Sequence, residues 1–509
     1  MVSDISSKGV WDSLSALPQG WVWTHVDEIS SLIRGVSYNK SEALKTSKEG
    51  FLPILRATNI NKQLNFDDLV YVPNSCISSE QMIRKFDVIF AMSSGSKDLV
   101  GKSAQATSDF YGGFGTFCGL IRPVKGLNEH YFGNFFQSPE YRKTISTLSS
   151  GIGINNLRRG DIESMALPLP PLAEQHRIVT KIEELLTQLD VGVASLKKVE
   201  VHLNRYRRAV LKAAFEGRLT QEWREEHKGE IESAVVFIKR LQEKKIKTSR
   251  QESTAQPEIS SLPLVPDSWS YATADQISQK ITDGEHIMPE RGEIGIPYVS
   301  ARNVQNGYLN LDSVDHVTNE VYSFISKRLV VESGDVLLSC SGSVGRTCVV
   351  PENFKCTLNR SVAIIKPIAK MGKYLSYALR SSFLQRQIDE KKTQTAQANI
   401  FQGKIRTLTF PIASQSEQDE IVIEIERHFS QIDHLEHTIT TSLRQADTLR
   451  QSILKQAFEG KLVPQDPNDE PASILLERIK AEKARHAAEV KKGKTLQHQS
   501  PKRKIKHAN

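Results

Sequence analysis

The chain has 509 residues, 39% hydrophobic and 25% charged, and a formal net charge of +8. That length exceeds one compact core and suggests about three or four units, and no apolar run approaches the ~20 residues that a membrane span needs. The positive balance suits a polyanionic partner, and an N-terminus without a basic start and apolar core excludes a secretory signal and makes the cytoplasm the expected compartment. The five cysteines, Cys76, Cys118, Cys340, Cys348 and Cys356, form no C-x-x-C pair and have no nearby His pair. They read as free thiols rather than zinc ligands.

In chain order, the first half opens on "LPQGWVW" at Leu17 and runs through a strand-rich stretch. Three polar loops stand out there: "RATNINK" from Arg56, "SSGSKDLVGK" from Ser93 and "GIGINNLRRG" from Gly151. The second contains "GSKDLVGKS", which resembles a phosphate loop but has five residues between its glycines where the Walker pattern needs four. Pro170 and Pro171 then mark the start of a helix. Its apolar positions recur at alternating spacings of four and three: Ile178, Ile182, Leu185, Leu189, Leu196, Val199, Leu203, Tyr206 and Val210, with Gly192 in one slot. Such a heptad stripe predicts a coiled coil. The helix closes on "AAFEGRL", where Gly217 supplies a left-handed stop.

The second half repeats this plan. "RQSILKQAFEGKLV" from Arg450 matches "RRAVLKAAFEGRLT" from Arg207 at an offset of 243, and "FPIASQSEQDEIV" from Phe410 matches "LPLPPLAEQHRIV" from Leu167. Upstream matches such as "PILRATNI" with "PYVSARNV" persist more weakly, at offsets near 244–248. The second opening is "VPDSWSY" at Val265, and "LLERIKAEK" at Leu475 echoes "FIKRLQEKK" at Phe237. The second stripe reads Ile421, Ile425, Ile432, Leu435, Ile439, Leu449 and Ile453, interrupted by His428, Ser442 and Ala446. A single helix cannot bury such a stripe. Equal length, phase and endings favour mutual packing over each helix lying on its own domain. About 40 residues give a rod of roughly 60 Å. Phe215, Phe458, Gly217 and Gly460 read as structural, and Glu216 and Glu459 carry no catalytic expectation.

No G-x-G-x-x-G after a strand, N/D-P-P-Y/F, H-E-x-x-H or G-x-S-x-G is present. A duplicated catalytic centre would keep its polar residues in both halves, and the strand-rich parts do not. They suit two modules that read different things. Arg, Lys, Asn and Gln bond base edges, and Gly/Ser turns suit phosphates. The candidate DNA-contacting residues of the first module are Arg56, Asn59, Asn61, Lys62, Ser94, Ser96, Lys97, Lys102, Asn155, Asn156, Arg158 and Arg159. Those of the second are Arg302, Asn303, Gln305, Asn306, Ser341, Ser343, Arg346, Asn359, Arg360, Gln397, Asn399, Gln402 and Lys404.

"LPLPPLAEQHRIV", the heptad helix behind it, "AAFEGRL" and their second copies resemble the specificity subunit of type I restriction–modification systems. The resemblance covers nearly the whole chain. It implies an α+β fold with pseudo-twofold internal duplication. Two strand-rich target-recognition domains, residues 1–171 and 263–413, are separated by helical regions 172–262 and 414–494. The helical regions pack as an antiparallel coiled coil, and a basic, disordered tail covers 495–509. It further implies that each domain reads one half of a split site in double-stranded DNA while the rod sets the spacer. Two modification subunits would dock on the helices and methylate adenine at N6 with S-adenosylmethionine. Two restriction subunits would add ATP- and Mg2+-dependent translocation and cleavage. The chain itself would be non-catalytic and hold no cofactor or metal. Two departures stand out: "FPIASQSEQ" lacks the double proline, and the tail after Lys494 is longer and more basic than the family needs. The rival readings are an enzyme with an unrecognised nuclease or methyltransferase site, and a coiled-coil scaffold without DNA recognition.

Overall fold

The computed structural model describes residues 16–94, 99–148, 155–249, 256–257, 262–286, 288–393 and 397–498. The chain divides into two compact units, residues 1–195 with 442–509, and residues 196–441. It passes between them only inside its two longest helices, Leu172–Phe215 and Gln415–Phe458, which have 44 residues each.

In the first unit, strand Val22–His25 pairs antiparallel with Ala166–Leu169, so the recognition domain closes on itself just before the long helix begins. A four-stranded antiparallel sheet follows in the order Ser30–Arg34, Cys118–Pro123, Val88–Ala91, Ser103–Gln105. Alternate residues of a strand point to opposite faces. Val88, Phe90 and Ile121 accordingly join a core with Tyr131, Phe135 and Tyr141, while Ile89, Ala91 and Leu120 join another with Leu55, Ile60 and Phe114. The second core is shared with a three-stranded sheet, Val70–Pro73, Phe51–Leu55 and Gly113–Phe114, whose last pairing is parallel.

The second unit repeats the scheme. Ser270–Thr273 pairs with Thr409–Ile412. The four-stranded order is Ser278–Asp283, Val362–Pro367, Val336–Ser339, Thr347–Val349, and the three-stranded order is Asp315–Val317, Ile296–Val299, Thr357–Leu358. The strand-rich halves have drifted in sequence yet keep one topology.

The residues that stayed alike between halves are the joints. Trp21 Nε1 donates to Glu174 Oε2 at 2.9 Å, and Trp269 Nε1 to Glu417 Oε2 at 2.8 Å. Gln175 Nε2 donates to Pro170 O at 3.0 Å, and Gln418 Nε2 to Ala413 O at 2.9 Å. The phenylalanine of each "AFEG" packs on a buried tyrosine of a recognition domain, Phe458 on Tyr131 at 5.1 Å and Phe215 on Tyr374 at 5.3 Å between ring centroids. Each recognition domain is thus closed by the helix end of the other repeat. The second long helix lacks the double proline, and Ser414 replaces it as a cap, its Oγ accepting from Glu417 N–H at 3.2 Å.

Within each unit the two long helices lie against each other. In the first, Ile178, Val179 and Ile182 share a core with Ile453, Leu454, Ala457 and Phe458, and Arg450 pairs with Asp190. In the second, Arg207 bonds Asp433 at 2.7 Å and Glu436 at 3.1 Å, and Tyr206 meets His428 at 3.0 Å. The start of one helix meets the end of the other in both places, so they run antiparallel. Of the stripe residues, Ile178, Ile182, Leu203, Ile421, Ile425, Ile432, Ile439 and Ile453 are buried. Leu185, Leu189 and Leu196 are half-buried. Val199, Leu435 and Leu449 are not part of a buried seam, standing 43%, 46% and 51% exposed. A straight helix drifts ~20° per heptad relative to a strict seven-residue repeat, and Phe429, Ala446 and Leu454 take buried places instead.

Gly217 and Gly460 end the helices at φ +72° and +66°, in the left-handed region. Each also lies under a proline of the Trp-containing opening: a Cβ on Gly217 would sit 2.3 Å from Pro266 Cγ, and one on Gly460 2.4 Å from Pro18 Cγ. The left-handed conformation alone costs an L-residue roughly 1–2 kcal/mol. Gly217→Ala and Gly460→Ala are each expected to destabilise the protein by about 2 kcal/mol or more. A urea midpoint equal to that of the unaltered protein would show that the contact yields freely. The C-terminal helix Ala472–His498 belongs to the first unit, where Lys483 Nζ donates to the carbonyl oxygens of Asp27 and Ser30. It runs four residues into the stretch expected to be a disordered tail, and residues 499–509 lie outside the described ones.

Candidate nucleic-acid interface

The candidate loops gather in pairs, and the same pairs form in both units. In the first, Lys102 Nζ donates to Asn61 Oδ1 at 3.2 Å, which joins the "RATNINK" loop to "VGK". In the second, Thr347 N–H donates to Asn306 Oδ1 at 3.4 Å, and Gly307 N–H to Thr347 O at 2.9 Å, which joins "SARNVQNG" to "SGSVGRT". Farther along, Asn155 and Asn156 pair through the backbone with Ser94 and Ser93, as Asn399 does with Ser341. Ser96 and Lys97 lie outside the described residues.

Two candidates are buried rather than presented at the surface. Asn59 and Asn303 are 3% and 2% exposed. Asn59 Oδ1 accepts from Arg56 N–H at 2.9 Å, and its Nδ2 donates to Asp67 O at 2.8 Å. Asn303 does the same between Ser300 N–H, at 3.0 Å, and Asn310 O, at 3.1 Å. Both amides bracket their own loops, and their burial keeps them from a ligand at the surface. Two arginines are also engaged: Arg56 bonds Asp68 at 2.7 Å, and Arg302 bonds Asp315 at 3.1 Å. Lys62 reaches Asp447 at 2.7 Å, and Arg159 pairs with Glu163 at 2.7 Å. Gln305 Nε2 returns to Arg302 O at 2.9 Å. Arg346 is half-buried, whereas Asn156, Arg158, Ser343, Arg360 and Lys404 are exposed.

In the second unit, Ser341, Asn359, Arg360, Gln397, Asn399 and Gln402 line one cleft of 610 Å³. Gln397 Nε2 bonds Ser341 Oγ at 3.2 Å. The wall also holds Asp283 and His286, which motif reading missed. Asp283 Oδ2 meets His286 Nε2 at 2.8 Å, and its Oδ1 accepts from Gln402 Nε2. Sliding "DGEH" onto "RGVS" places Asp283 over Arg34, a charge reversal that the repeat could have flagged. Cys340 lies behind the cleft, where burial pushes its thiol up to about 12, so it carries no thiolate chemistry. All five cysteines are free. Among the described residues no group of His, Cys, Asp or Glu could hold a metal ion, and no helix is long and apolar enough to cross a membrane.

One recognition domain built twice, each copy closed by a long helix and presenting the same loops with different side chains, defines a duplicated recognition protein. The sequence profile described as "Type I restriction modification DNA specificity domain" matches residues 18–200 and 269–445. The chain is 31% identical over 491 residues to the EcoKI specificity subunit of Escherichia coli K12, covering 93% of this chain and 97% of that one. It is 32% identical over 480 residues to the StySPI specificity subunit of Salmonella potsdam, covering 92% and 96%. A solved structure from work on complex assembly and conformational transition of the type I R-M system shares the fold. Its TM-score is 0.63 at 17% identity, over 88% of this chain and 100% of that one. The chain therefore belongs to the type I restriction–modification DNA specificity family, and its function is recognition of a DNA target. The scaffold reading has no support beside these matches.

Proposed function

We propose that each recognition domain reads one half of a bipartite site in double-stranded DNA, and that the paired long helices set the spacer between the halves. The observation that carries this reading is the repeated loop pairing: one framework, Asn61 with Lys102 and Asn306 with Thr347, built twice around different side chains. Reading two different half-sites requires such an arrangement. Base edges are read in the major groove, where all four pairs differ. Exposed cations such as Arg158, Arg360 and Lys404 suit phosphates, which fix register without choosing sequence.

The chain acts in the cytoplasm as the non-catalytic label of a complex. Two modification subunits dock on its helices and methylate adenine N6 with S-adenosylmethionine. Two restriction subunits supply ATP- and Mg2+-dependent translocation and cleavage. The test is co-expression with the modification subunit of its own operon, followed by genome-wide mapping of methylated adenines. A bipartite motif with a fixed gap that disappears without this chain is the expected result. Methylation that persists without the chain would defeat the reading.

A further inference from the structure

Gln402 begins the helix Gln402–Arg406, half-buried on the wall of the second unit's cleft. Its amide could face the cleft with either end. An ionised carboxylate only accepts hydrogen bonds, so the end turned to Asp283 Oδ1 must be Nε2. Asp283 is itself held. His286 Nε2 is 2.8 Å from its other oxygen, and Arg328 donates to its carbonyl oxygen at 2.7 Å with the guanidinium 3.7 Å from Oδ1. It is the last residue of strand Ser278–Asp283, and the next residue, Gly284, is so close to the neighbouring strand that a Cβ would lie 2.3 Å from Leu358 O. The backbone there has no slack, and the amide is aimed by a chain of fixed partners. Gln402 thus keeps for a ligand Oε1, an acceptor with no hydrogen-bond partner among the described residues, beside the second hydrogen of Nε2.

From this geometry we propose that Gln402 is a specificity-determining residue of the second half-site, reading an exocyclic amino group, adenine N6 or cytosine N4, in the major groove. Every base pair offers an amino group on one side of that groove and a keto oxygen on the other. An acceptor held at that place therefore favours A or C over G or T on a given strand. Asp283 is a positioning residue that fixes which way the amide is turned. The first unit has Arg34 at the matching place, with Arg158 and Arg159 at the start of its corresponding helix, so this device belongs to one half-site only.

The inference rests on the reading of this chain as a two-domain DNA reader, and the experiment separates the two. The full chain, Gln402→Lys, Gln402→Met and Asp283→Asn are each co-expressed with the modification subunit, and methylated motifs are mapped. The unaltered chain should show A or C at one position of the second half-site. Gln402→Lys, a donor in place of an acceptor, should change that position to G or T. Asp283→Asn, which lets the amide turn over, should relax the position while the first half-site and the spacer stay as they were. If Gln402→Lys stops methylation altogether, competition binding by the Gln402→Met complex decides: discrimination between amino and keto bases at that position should fall roughly 10- to 100-fold. A bipartite motif with an unaltered second half-site in all variants overturns this inference alone. A chain that directs no bipartite motif overturns the reading beneath it.

Discussion

Inserting one helical turn into each long helix is expected to lengthen the spacer of the DNA target by one to two base pairs and leave both half-sites unchanged. The chain crosses between its two units only inside these helices, so added helix length goes directly into the connection. One turn adds about 5.4 Å, against roughly 3.4 Å per base pair of DNA. The insertions belong near Ser195 and Ser442, at the boundary of the units, so that the core contacts of Ile178 and Ile182 with Ile453 are kept. Both helices must be lengthened together, because lengthening one alone shifts its buried face against the other. The readout is the gap in the methylated motif. An unchanged gap in a protein that still methylates would mean that the helices do not set the spacing.

The second large effect separates the two buried joint glutamates. Glu417 is fully buried and accepts from Trp269 Nε1 at 2.8 Å, Thr220 Oγ1 at 2.9 Å and Arg224 Nε at 2.9 Å. Removing one partner of a buried ion pair leaves an uncompensated charge. Glu417→Gln is therefore expected to destabilise the second unit by about 3 kcal/mol. Glu174 is also buried, but its Oε1 has no partner among the described residues, and Trp21 alone bonds Oε2. Burial holds its carboxyl above the ordinary value of 4.5, against the opposing pull of Trp21 and Arg177. A carboxyl whose folded-state value is raised opposes folding once ionised, and the penalty vanishes as pH falls through that value. Glu174→Gln should therefore cost less than about 1 kcal/mol, or gain stability, near pH 7. Any advantage over the unaltered chain should shrink as the pH approaches 4.5. Urea unfolding followed by tryptophan fluorescence reads both variants, and equal losses would show that the asymmetry between the joints is not energetic.

Much of the architecture was legible because it repeats. The near-identical helix endings at Gly217 and Gly460, the paired Glu-Gln positions and the two apolar stripes announce two equal helices, and the structure has two of 44 residues. The equal topology of the two recognition domains was less visible, because a strand order survives wide changes of side chain provided the alternation of faces is kept. Polar type was a poor guide at the site. Asn59 and Asn303 look like base readers and are buried brackets, whereas Asp283, which no motif marked, bonds Gln402.

The sequence alone thus determined the duplication, the pair of equal heptad helices and a polyanionic class of partner, since periodicity, repeat offset and net charge are properties of the chain read in order, whereas the antiparallel sense of the pair came only with the family resemblance. Only the tertiary structure decided which polar side chains are buried or already paired within the protein. Asp283 and Gln402 stand 119 residues apart, and the role left to an amide depends on which of its ends a distant partner has already occupied.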